Sequence, residues 1–577
     1  MIDSRTAAHI LQQIAAYLEL KGENTFKCRA YAGAAKGLLT LGVDDLAPLH
    51  ESGELAGVRG LGPATLAVVR DLIETGESRY LEQLRESMPE GLLDMLDIPG
   101  MTPAKIHRVY EELQIQSVED LEAATLDGRL AKLSKFGPKT AEKIRKGIAT
   151  ARERGNLRLY HHAVVEARQL VGSVSSHPDI MRAEIAGAIR RRVEVASSVD
   201  IVAACARDAA AVAQSFARLP GITEAAGEGA SVSIHFVDGA RLNLTCVEHD
   251  QFAVAFWRAT GSAEHVAEVT AALDARRITL DGDRLIDARG RAMRIADEPS
   301  LYGAAGLAYV EPELREGMGE VGAARKKRLP ALLEYGDIRG VLHCHSYYSD
   351  GKASIGDMAR AAQQRGWSYL GITDHSQAAF YAGGLSRDQV RQQHDEIDEV
   401  NAALDDFRVL KGIEADILAD GQLDYGDALL DEFDFVIGSI HSRFSMEPAA
   451  MTERVLRALD DPRLTVLAHP TGRLLLNREP YAIDLHAVLE KAHAVGAAVE
   501  LNADPHRLDL DWRYLHQAKE LGVTIEIGPD AHSESGLDYM QLGIGIARKG
   551  WLEAGDVLNT RDADGILTFA RARRNSR

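Results

Sequence analysis

The sequence predicts a multidomain protein with an all-α N-terminal region, an α+β middle region and a C-terminal α/β barrel of seven strands. Residues 1 to about 160 are rich in alanine and leucine at helical spacing, with short Gly/Pro breaks. A period-2 pattern, typical of half-buried strands, follows at 231–236 and 241–245. After residue 335 or so, short apolar runs alternate with helical segments, which favours parallel strands covered by helices.

Composition excludes several classes of protein. The net charge of −20 argues against a wholly basic nucleic-acid binder, although a local basic stretch runs from Lys132 to Arg158. There is no run of about 18 uncharged apolar residues, and residues 1–5 lack a signal-peptide pattern. The four cysteines lie far apart, which indicates neither a disulfide framework nor a Cys-zinc knuckle. We expect a cytoplasmic protein that does not enter a membrane.

Three Gly/Pro breaks in the N-terminal region share one pattern, at 58–63, 98–103 and 134–139. A glycine-containing hairpin before a helix exposes backbone N–H groups that can receive a phosphate oxygen. Such a helix-hairpin-helix element binds the DNA backbone without reading sequence. One Gly-Pro turn alone is a common connection between helices, whereas three together predict DNA binding. The candidate contact residues are Gly60, Gly62, Gly100, Gly137, Lys139 and Lys143.

The middle region carries a more specific pattern. Residues 185–191, followed by Glu194 and 198–201, resemble the nucleotidyltransferase palm of family X DNA polymerases. With the hairpins before it and a histidine-rich region after it, the whole chain resembles a bacterial family X DNA polymerase with a C-terminal PHP (polymerase and histidinol phosphatase) domain. The resemblance implies six segments: a lyase-like DNA-binding domain (1–85), helix-hairpin-helix fingers (86–158), palm (159–250), thumb (251–318), linker (319–336) and PHP domain (337–577).

The palm departs from the family pattern. The family uses three acidic residues to hold two magnesium ions for nucleotidyl transfer. Here Ser198 stands at the first position, Asp200 at the second and Asn243 at the third, and the phosphate-binding Gly-Ser is Gly187-Ala188. A hydroxyl and an amide do not supply the charge that offsets dehydration of a divalent cation. We therefore predict a structural remnant with little or no polymerase activity and no functional magnesium site, in which Asp200 is the remaining catalytic position.

The chain retains two arginines of the palm but lacks the lysines that lyase chemistry would need. Arg190 and Arg191 persist after the palm glycine, as candidate DNA contacts that fit a retained fold equally well. The lyase chemistry of some relatives needs a nucleophilic lysine in and after the first hairpin. Ala64 and Val68 occupy those positions, so we predict no Schiff-base lyase there.

Nine potential metal ligands lie in the C-terminal region, most of them at the end of a short apolar run. They are His343, His345, Asp350, His375, Glu414, His441, His469, Asp530 and His532. Functional residues at the carboxyl ends of successive strands predict a distorted TIM-like barrel whose site lies on that face. A lone histidine is more often structural or solvated, but nine ligands in PHP order indicate a hydrolytic metal cluster. The resemblance implies up to three ions, typically Mn²⁺ or Zn²⁺.

Residues beside these ligands are candidates for supporting roles. Asp374 is an acid–base group or a residue that holds a ligand from behind, and Glu414 has two oxygens with which to bridge metals. Arg443, Arg473 and Arg507 follow strand ends and are candidate phosphate contacts, with ordinary surface arginines as the alternative.

The leading hypothesis is a DNA-repair protein whose PHP domain is a metal-dependent 3′→5′ exonuclease or DNA phosphodiesterase acting on gapped, nicked or 3′-ended DNA. The first alternative is a gap-filling polymerase with a proofreading PHP domain. The second is a small-molecule phosphatase, which leaves the first 320 or so residues without a role. A non-catalytic DNA-binding scaffold is a fourth hypothesis. The sequence predicts neither the identity of the metal nor any protein partner.

Overall fold

The computed structural model describes residues 4–41, 43, 46–58, 60–75, 78–86, 91–98, 100–134, 136–154, 157–218, 222–236 and 239–575. Arg59, Pro99 and Lys135, which belong to the three predicted hairpins, lie outside the described residues. The chain divides into two compact units, Met1–Gly155 and Asn156–Arg577. Within the described residues, no helix is long and apolar enough to cross a membrane.

The first unit is helical, as predicted. Its described α-helices are α1 (Ser4–Leu20), α2 (Thr25–Leu41), α3 (Ala47–Glu51), α4 (Pro63–Thr75), α5 (Arg79–Glu86), α6 (Gly91–Asp94), α7 (Pro103–Leu113), α8 (Val118–Leu126), α9 (Arg129–Lys132) and α10 (Gly137–Arg154). Their apolar faces bury two clusters, one around Leu11 and Leu38 and the other around Ile106 and Ile144. Apolar residues spaced three and four apart lie on one face of each helix, and these faces pack against one another.

The second unit begins with a mixed sheet. Its elements are β1 (Arg158–Leu159), α11 (Tyr160–Ser175), β2 (Ile180–Ile185), α12 (Gly187–Arg190), β3 (Val195–Ala196), β4 (Val199–Cys205), α13 (Ala209–Phe216), β5 (Ile222–Ala226), β6 (Ser231–Phe236) and β7 (Arg241–Glu248). The main sheet has the order β2-β4-β7-β6-β5, in which only β4 and β7 run parallel. The register pairs Asp200 with Asn243, which places the two predicted palm positions side by side.

A smaller helical part follows the sheet. It contains α14 (Phe252–Thr260), α15 (Ala263–Asp274), β8 (Thr279–Asp281), β9 (Arg284–Ile286), α16 (Glu298–Ala305) and α17 (Glu320–Arg325). Helix α17 differs from the linker predicted at 319–336. Val321 and Ala324 join the core of this part, and Glu320 is fully buried with Oε1 2.6 Å from Nδ1 of His265. The linker was predicted because the charged residues 325–328 have a composition typical of linkers. These residues follow or end α17, whose apolar side chains are packed.

The C-terminal part is a seven-stranded parallel sheet with the strands in chain order. The strands are β10 (Gly340–Val341), β11 (Tyr369–Ile372), β12 (Arg408–Asp416), β13 (Phe435–Ser439), β14 (Leu464–Leu467), β15 (Ala498–Asn502) and β16 (Ile525–Gly528). The helices are α18 (Ile355–Gln364), α19 (Arg387–Ala403), α20 (Asp427–Leu430), α21 (Pro448–Asp460), α22 (Leu485–Val495), α23 (Trp512–Leu521), α24 (Met540–Lys549) and α25 (Ala563–Asn575).

This sheet is nearly closed into a barrel. A parallel bridge joins Cys344 to Ala531, and His345 N donates to Ala531 O at 2.9 Å, so the first and last strands meet beyond their ends. Phe435 and Val466 form an inner cluster with Ile566 of α25, whereas a larger cluster lies between the strands and the outer helices. The seven-stranded α/β barrel predicted from alternating apolar runs is confirmed, and all seven carboxyl ends lie on one face.

Candidate metal centre and DNA-binding elements

The nine predicted ligands lie together on the carboxyl face of the barrel. Most of them follow or end a strand: His343 and His345 come after β10, His375 after β11, and His441 and His469 after β13 and β14. Glu414 lies near the end of β12, the loop after His345 carries Asp350, and Asp530 and His532 follow β16. A parallel sheet brings these positions together because its strands all end at the same face.

Glu414 lies at the centre of the cluster. Its carboxylate oxygens are surrounded by imidazole nitrogens, which lie at 2.7 Å (His375 Nδ1), 3.2 Å (His441 Nε2), 3.2 Å (His469 Nε2), 3.6 Å (His343 Nε2) and 3.7 Å (His345 Nε2). Each of the two carboxylate oxygens of Glu414 therefore faces histidine nitrogens.

Two further carboxylates complete the cluster. Asp530 Oδ1 lies 3.2 Å from His345 Nε2 and 3.6 Å from His343 Nε2. Asp350 Oδ1 lies 3.3 Å from His532 Nε2 and 3.6 Å from His375 Nε2. Ligand atoms within 4.8 Å of one another form three groups: His345, Asp350, His375 and His532; His343, His345 and Asp530; and His375, Glu414 and His441. The arrangement has room for more than one ion.

The hydrogen bonding of the cluster fits a metal. Among the described residues, several buried polar atoms of the cluster form no hydrogen bond of normal geometry, even where an oppositely charged atom lies nearby: His343 Nε2, His345 Nδ1 and Nε2, His375 Nδ1, Glu414 Oε2 and His469 Nδ1. A buried polar group without a partner costs about 1–3 kcal/mol. Divalent cations bound by imidazole and carboxylate groups would give these atoms partners, so the residues fit the metal that the fold implies.

Local electrostatics acts in opposite directions on the ligand histidines. Burial lowers the pKa of His441 and His532, but the carboxylates of Glu414 and Asp350 respectively outweigh it and raise each pKa to about 9. Burial lowers the pKa of His345 to about 3, and the neighbouring His532 and His375 add to the effect. Neutral imidazole is the form that binds a metal. Burial raises the pKa of Glu414, but the surrounding histidines, above all His375, outweigh it and hold that pKa well below its usual range. The central carboxylate is therefore ionised.

Three residues that sequence analysis missed form hydrogen bonds with the potential metal ligands. Glu500 Oε1 lies 2.5 Å from His343 Nδ1, and its other oxygen accepts from His469 N at 2.6 Å. Asp416 Oδ1 lies 2.7 Å from His441 Nδ1, and Asn502 Nδ2 donates to Asp530 Oδ2 at 3.1 Å. Such partners fix the orientation of a ligating imidazole. The available signal was a charged residue inside a buried strand, since Glu500 interrupts the apolar run of β15.

Asp374 lies behind the ligand loop. It is completely buried, and Oδ1 accepts from Ser346 N at 2.8 Å and from Ser349 Oγ at 2.5 Å. Oδ2 accepts from Ser346 Oγ at 2.5 Å and from Gln393 Nε2 at 2.6 Å. Burial raises its pKa to about 6 despite these donors. Of the two predicted roles, this geometry favours the positioning one, because the carboxylate holds the loop that carries Asp350.

The three predicted arginines have different surroundings. Arg507 lies at the cluster, with Nε 3.5 Å from Asp530 Oδ2, and Arg443 is exposed on the loop after His441. Arg473 differs from the prediction. It is buried, and its guanidinium donates to Asp511 Oδ2 at 2.6 Å, to Arg507 O at 2.9 Å and to Leu508 O. With these donors engaged, Arg473 shapes the loop of Arg507 and does not face a DNA phosphate.

The palm positions meet without forming a carboxylate cluster. Asn243 Nδ2 donates to Asp200 Oδ1 at 2.8 Å and to Ser198 Oγ at 3.1 Å, and Ser233 Oγ donates to Asn243 Oδ1 at 2.9 Å. Burial raises the pKa of Asp200. Gly187, at φ +63°, leaves room for this carboxylate, since a Cβ there would lie 1.9 Å from Oδ2. One carboxylate held by neutral donors is a weak site for divalent cations.

Arg190 and Arg191 also differ from their predicted role in DNA contact. Arg190 forms a bidentate pair with Glu298 at 2.9 and 2.6 Å and lies over the Phe256 ring at 3.8 Å. Arg191 pairs with Glu316 at 2.8 Å and donates to Thr260 O at 2.7 Å. Both guanidinium groups lie inside the joint between the sheet and the helical part that follows it.

The three hairpins precede α4, α7 and α10 as predicted. Their apical residues Leu61, Met101 and Phe136 are buried, while the adjoining glycines have positive φ: Gly60 +94°, Gly100 +92° and Gly137 +56°. Gly62 N donates to Thr65 Oγ1 at 2.9 Å, so this N–H has a partner within its own helix. Thr102, which directly precedes α7 as Gly62 directly precedes α4, caps its helix by accepting from Lys105 N at 3.4 Å.

Two basic side chains lie close to these hairpins. Lys139 and Lys143 are exposed on α10. A Cβ built at Gly100 would lie 3.9 Å from Lys143 Cε, so this lysine lies beside the second hairpin. Positive charge next to exposed backbone N–H groups is the arrangement that binds a DNA phosphate.

Fold and site together define a metal-dependent phosphoesterase attached to DNA-binding hairpins, and comparison with known proteins gives the same class. Family models match at 4–78 (helix-hairpin-helix domain), 92–150 (SAM-like helix-hairpin-helix tandem), 255–316 (DNA polymerase beta thumb) and 342–500 (PHP domain). The Bacillus subtilis "DNA polymerase/3'-5' exonuclease PolX" is 36% identical over 567 residues, which cover 97% of this chain and 98% of that protein.

The chain therefore belongs to the PolX family, the bacterial family X DNA polymerases with a C-terminal PHP domain. Shorter relatives match the PHP part. A "Probable phosphatase" of Syntrophotalea carbinolica is 31% identical over 166 residues, which cover 28% of this chain and 64% of that protein. Another, of Caldanaerobacter subterraneus, is 27% identical over 215 residues, which cover 34% of this chain and 77% of that protein. The protein is a metal-dependent phosphoesterase that binds DNA.

Proposed function

We propose that the PHP domain acts on DNA ends as a metal-dependent 3′→5′ exonuclease or DNA phosphodiesterase, and that the palm does not polymerise. One contrast carries this proposal. The barrel brings eight other potential ligands close to Glu414, whereas the palm has Asp200 alone among Ser198, Asn243 and Ser233. In this division of labour residues 1–158 bind DNA, 159–318 serve as a frame and 337–577 carry the hydrolytic site.

The nine residues would hold Mn²⁺ or Zn²⁺, up to three ions. Divalent cations held there would supply a water of lowered pKa and polarisation of the scissile phosphate. Glu500 and Asp416 orient the imidazoles of His343 and His441. Arg507, beside Asp530, is placed to hold a phosphate next to the scissile one, and exposed Arg443 is a second candidate. Asp374 keeps the Asp350 loop in place.

The proposed substrates are gapped, nicked or 3′-ended DNA. Hairpins that grip the DNA backbone select no sequence, and this suits a repair enzyme that meets ends in any context. The alternatives each have one observation in their favour. The name of the B. subtilis relative includes polymerase activity, which supports the gap-filling alternative. The shorter relatives are named probable phosphatases, which supports the small-molecule alternative.

Two assays on purified protein test the proposal. Metal-stripped protein is given Mn²⁺, Zn²⁺ or Mg²⁺, and hydrolysis is followed on 3′-ended, nicked and gapped DNA and on histidinol phosphate. We expect hydrolysis of DNA ends that is lost in Glu414→Gln and unchanged in Asp200→Ala. Faster turnover of histidinol phosphate than of DNA would favour the small-molecule alternative.

The second assay is extension of a gapped primer with Mg²⁺ and with Mn²⁺, for which we expect no product. Extension by the wild type that disappears in Asp200→Ala would overturn the remnant interpretation of the palm. Glu414→Gln is the matched control, since it disables the other centre and removes any degradation of the primer.

A further inference from the structure

Two large aromatic side chains project from the rim of the metal centre. Phe380 is 84% exposed and Tyr381 is 62% exposed, next to one another on a short 3₁₀ turn that follows His375. Large aromatic rings are normally at least partly buried, because exposing them to water forfeits their apolar contacts. Adjacent exposed rings at the mouth of a site indicate a ligand that covers them.

The backbone beneath the rings is anchored to the site. Ser376 N donates to Glu414 O at 2.9 Å, and Leu385 N donates to His375 O at 2.9 Å. Ala378 N donates to Asp424 Oδ2 at 2.7 Å, and Ala379 is completely buried. The turn therefore presents its rings from a fixed base, so little conformational entropy is lost when a ligand packs on them.

The rings are close to where the reacting phosphate would lie. The centroid of the Tyr381 ring is 6.5 Å from that of His375 and 6.3 Å from that of His441, and Phe380 meets Tyr381 edge-on at 6.0 Å. On the neighbouring ligand loop, Tyr347 is also exposed. Flat apolar rings thus adjoin a centre that carries the cationic Arg507.

We propose that Phe380 and Tyr381 form a nucleobase subsite, which holds the terminal base of a DNA strand whose adjoining phosphodiester lies at the metal centre. This inference rests on the proposed function. A base has a flat face of the size of these rings, whereas a small phosphorylated alcohol or amine has none. Stacking on an aromatic side chain is sequence-tolerant and contributes a factor of about 5 to 150 in affinity per base.

The test compares two single-stranded oligonucleotides that differ only at the 3′-terminal residue, which is a natural nucleotide in one and a tetrahydrofuran abasic analogue in the other. For the wild type we expect a KM about 5 to 150 times lower with the natural end. The double variant Phe380→Ala/Tyr381→Ala should bring this ratio close to one, with kcat changed little, since neither ring belongs to the metal cluster.

Two further variants separate stacking from structure. Phe380→Leu keeps an apolar side chain without an aromatic face and should lower the ratio. Tyr514→Ala removes a ring that is 39% exposed elsewhere in the barrel and should leave the ratio unchanged. Metal content and melting temperature of all variants should match the wild type, because truncating an exposed ring opens no cavity.

Four outcomes would overturn the inference. The subsite would be refuted if the wild type had equal KM for the two oligonucleotides, or if the double variant retained the ratio. Neither result would contradict the proposed function. A ratio lost equally in Tyr514→Ala shows a general effect of surface truncation. Absence of hydrolysis of either oligonucleotide by the wild type with Mn²⁺, Zn²⁺ and Mg²⁺ overturns the proposed function together with the subsite.

Discussion

Replacing Glu194 should loosen the joint between the palm sheet and the PHP barrel. Glu194 is a buried palm residue whose carboxylate accepts hydrogen bonds from Trp512 Nε1 at 2.9 Å and from Arg513 Nη1 at 3.1 Å. Arg473 Nη1 of the barrel lies 3.9 Å away. One palm carboxylate thus serves three barrel side chains, and alanine removes all three contacts at once.

The structure allows the cost of Glu194→Ala to be worked out by contact. A buried Trp512 N–H without an acceptor costs about 1–3 kcal/mol. Arg513 is 54% exposed, so its lost ion pair contributes at most about 1 kcal/mol. Arg473 keeps Asp511 at 2.6 Å and adds little. The expected loss in free energy of unfolding is about 1–4 kcal/mol.

Urea unfolding followed by tryptophan fluorescence measures this loss, because Trp512 reports directly on the joint. Glu194→Gln is the matched control. Its amide oxygen still accepts from Trp512 while the charge is gone, so the loss should be only about 1 kcal/mol. An alanine variant within about 0.5 kcal/mol of the wild type, or a glutamine variant as unstable as alanine, would refute the assignment of the loss to the Trp512 hydrogen bond.

Three further predictions concern the metal, pH and DNA. Chelation or Glu414→Gln should strip bound ions, measured by elemental analysis, and lower phosphoesterase activity by about 100-fold or more. Burial raises the pKa of Glu298, but hydrogen bonds from Arg190 and Arg315 outweigh it and hold that pKa at about 2. The lowered pKa stabilises the folded chain above pH 4.5 by about 3 kcal/mol, and this contribution is lost as the pH falls towards 2. Urea midpoints should therefore fall less steeply over this range in Glu298→Gln. Lys143→Ala should reduce the slope of log Kd against log salt by about one if this lysine contacts a phosphate, which titrations of duplex DNA would measure.

The barrel and the clustering of its potential ligands could be predicted because ligand-type residues directly follow the short apolar runs. Each parallel strand is a short buried run, and a histidine or carboxylate directly after it has to lie on the carboxyl face. His441 after β13 and His469 after β14 needed no knowledge of tertiary contacts. The hairpins were predictable for a similar reason, since Gly60 and Gly100 adopt positive φ, which glycine tolerates best.

The roles of individual side chains could not be predicted in the same way. An arginine after a strand end has the same sequence signal whether it faces DNA or the protein, and Arg473 turned out to be engaged by Asp511. Arg190 required knowledge of Glu298, more than a hundred residues away. Glu500 was missed because its role depends on the hydrogen bond with His343, which is distant in the sequence. The direction in which a side chain points and the residue that it contacts depend on tertiary structure, which local sequence periodicity does not predict.

The two candidate metal centres differ in whether their polar atoms need a metal. In the barrel, buried atoms such as His345 Nε2 and Glu414 Oε2 form no hydrogen bond of normal geometry with the described residues. In the palm, the groups at the other two acidic positions are hydrogen-bond partners of the remaining carboxylate, because Asn243 Nδ2 and Ser198 Oγ both donate to Asp200 Oδ1. The palm carboxylate thus already has neutral hydrogen-bond donors, whereas a cation would give the buried barrel atoms the partners they lack. This difference supports the proposal that the palm serves as a frame while the hydrolytic site depends on metal.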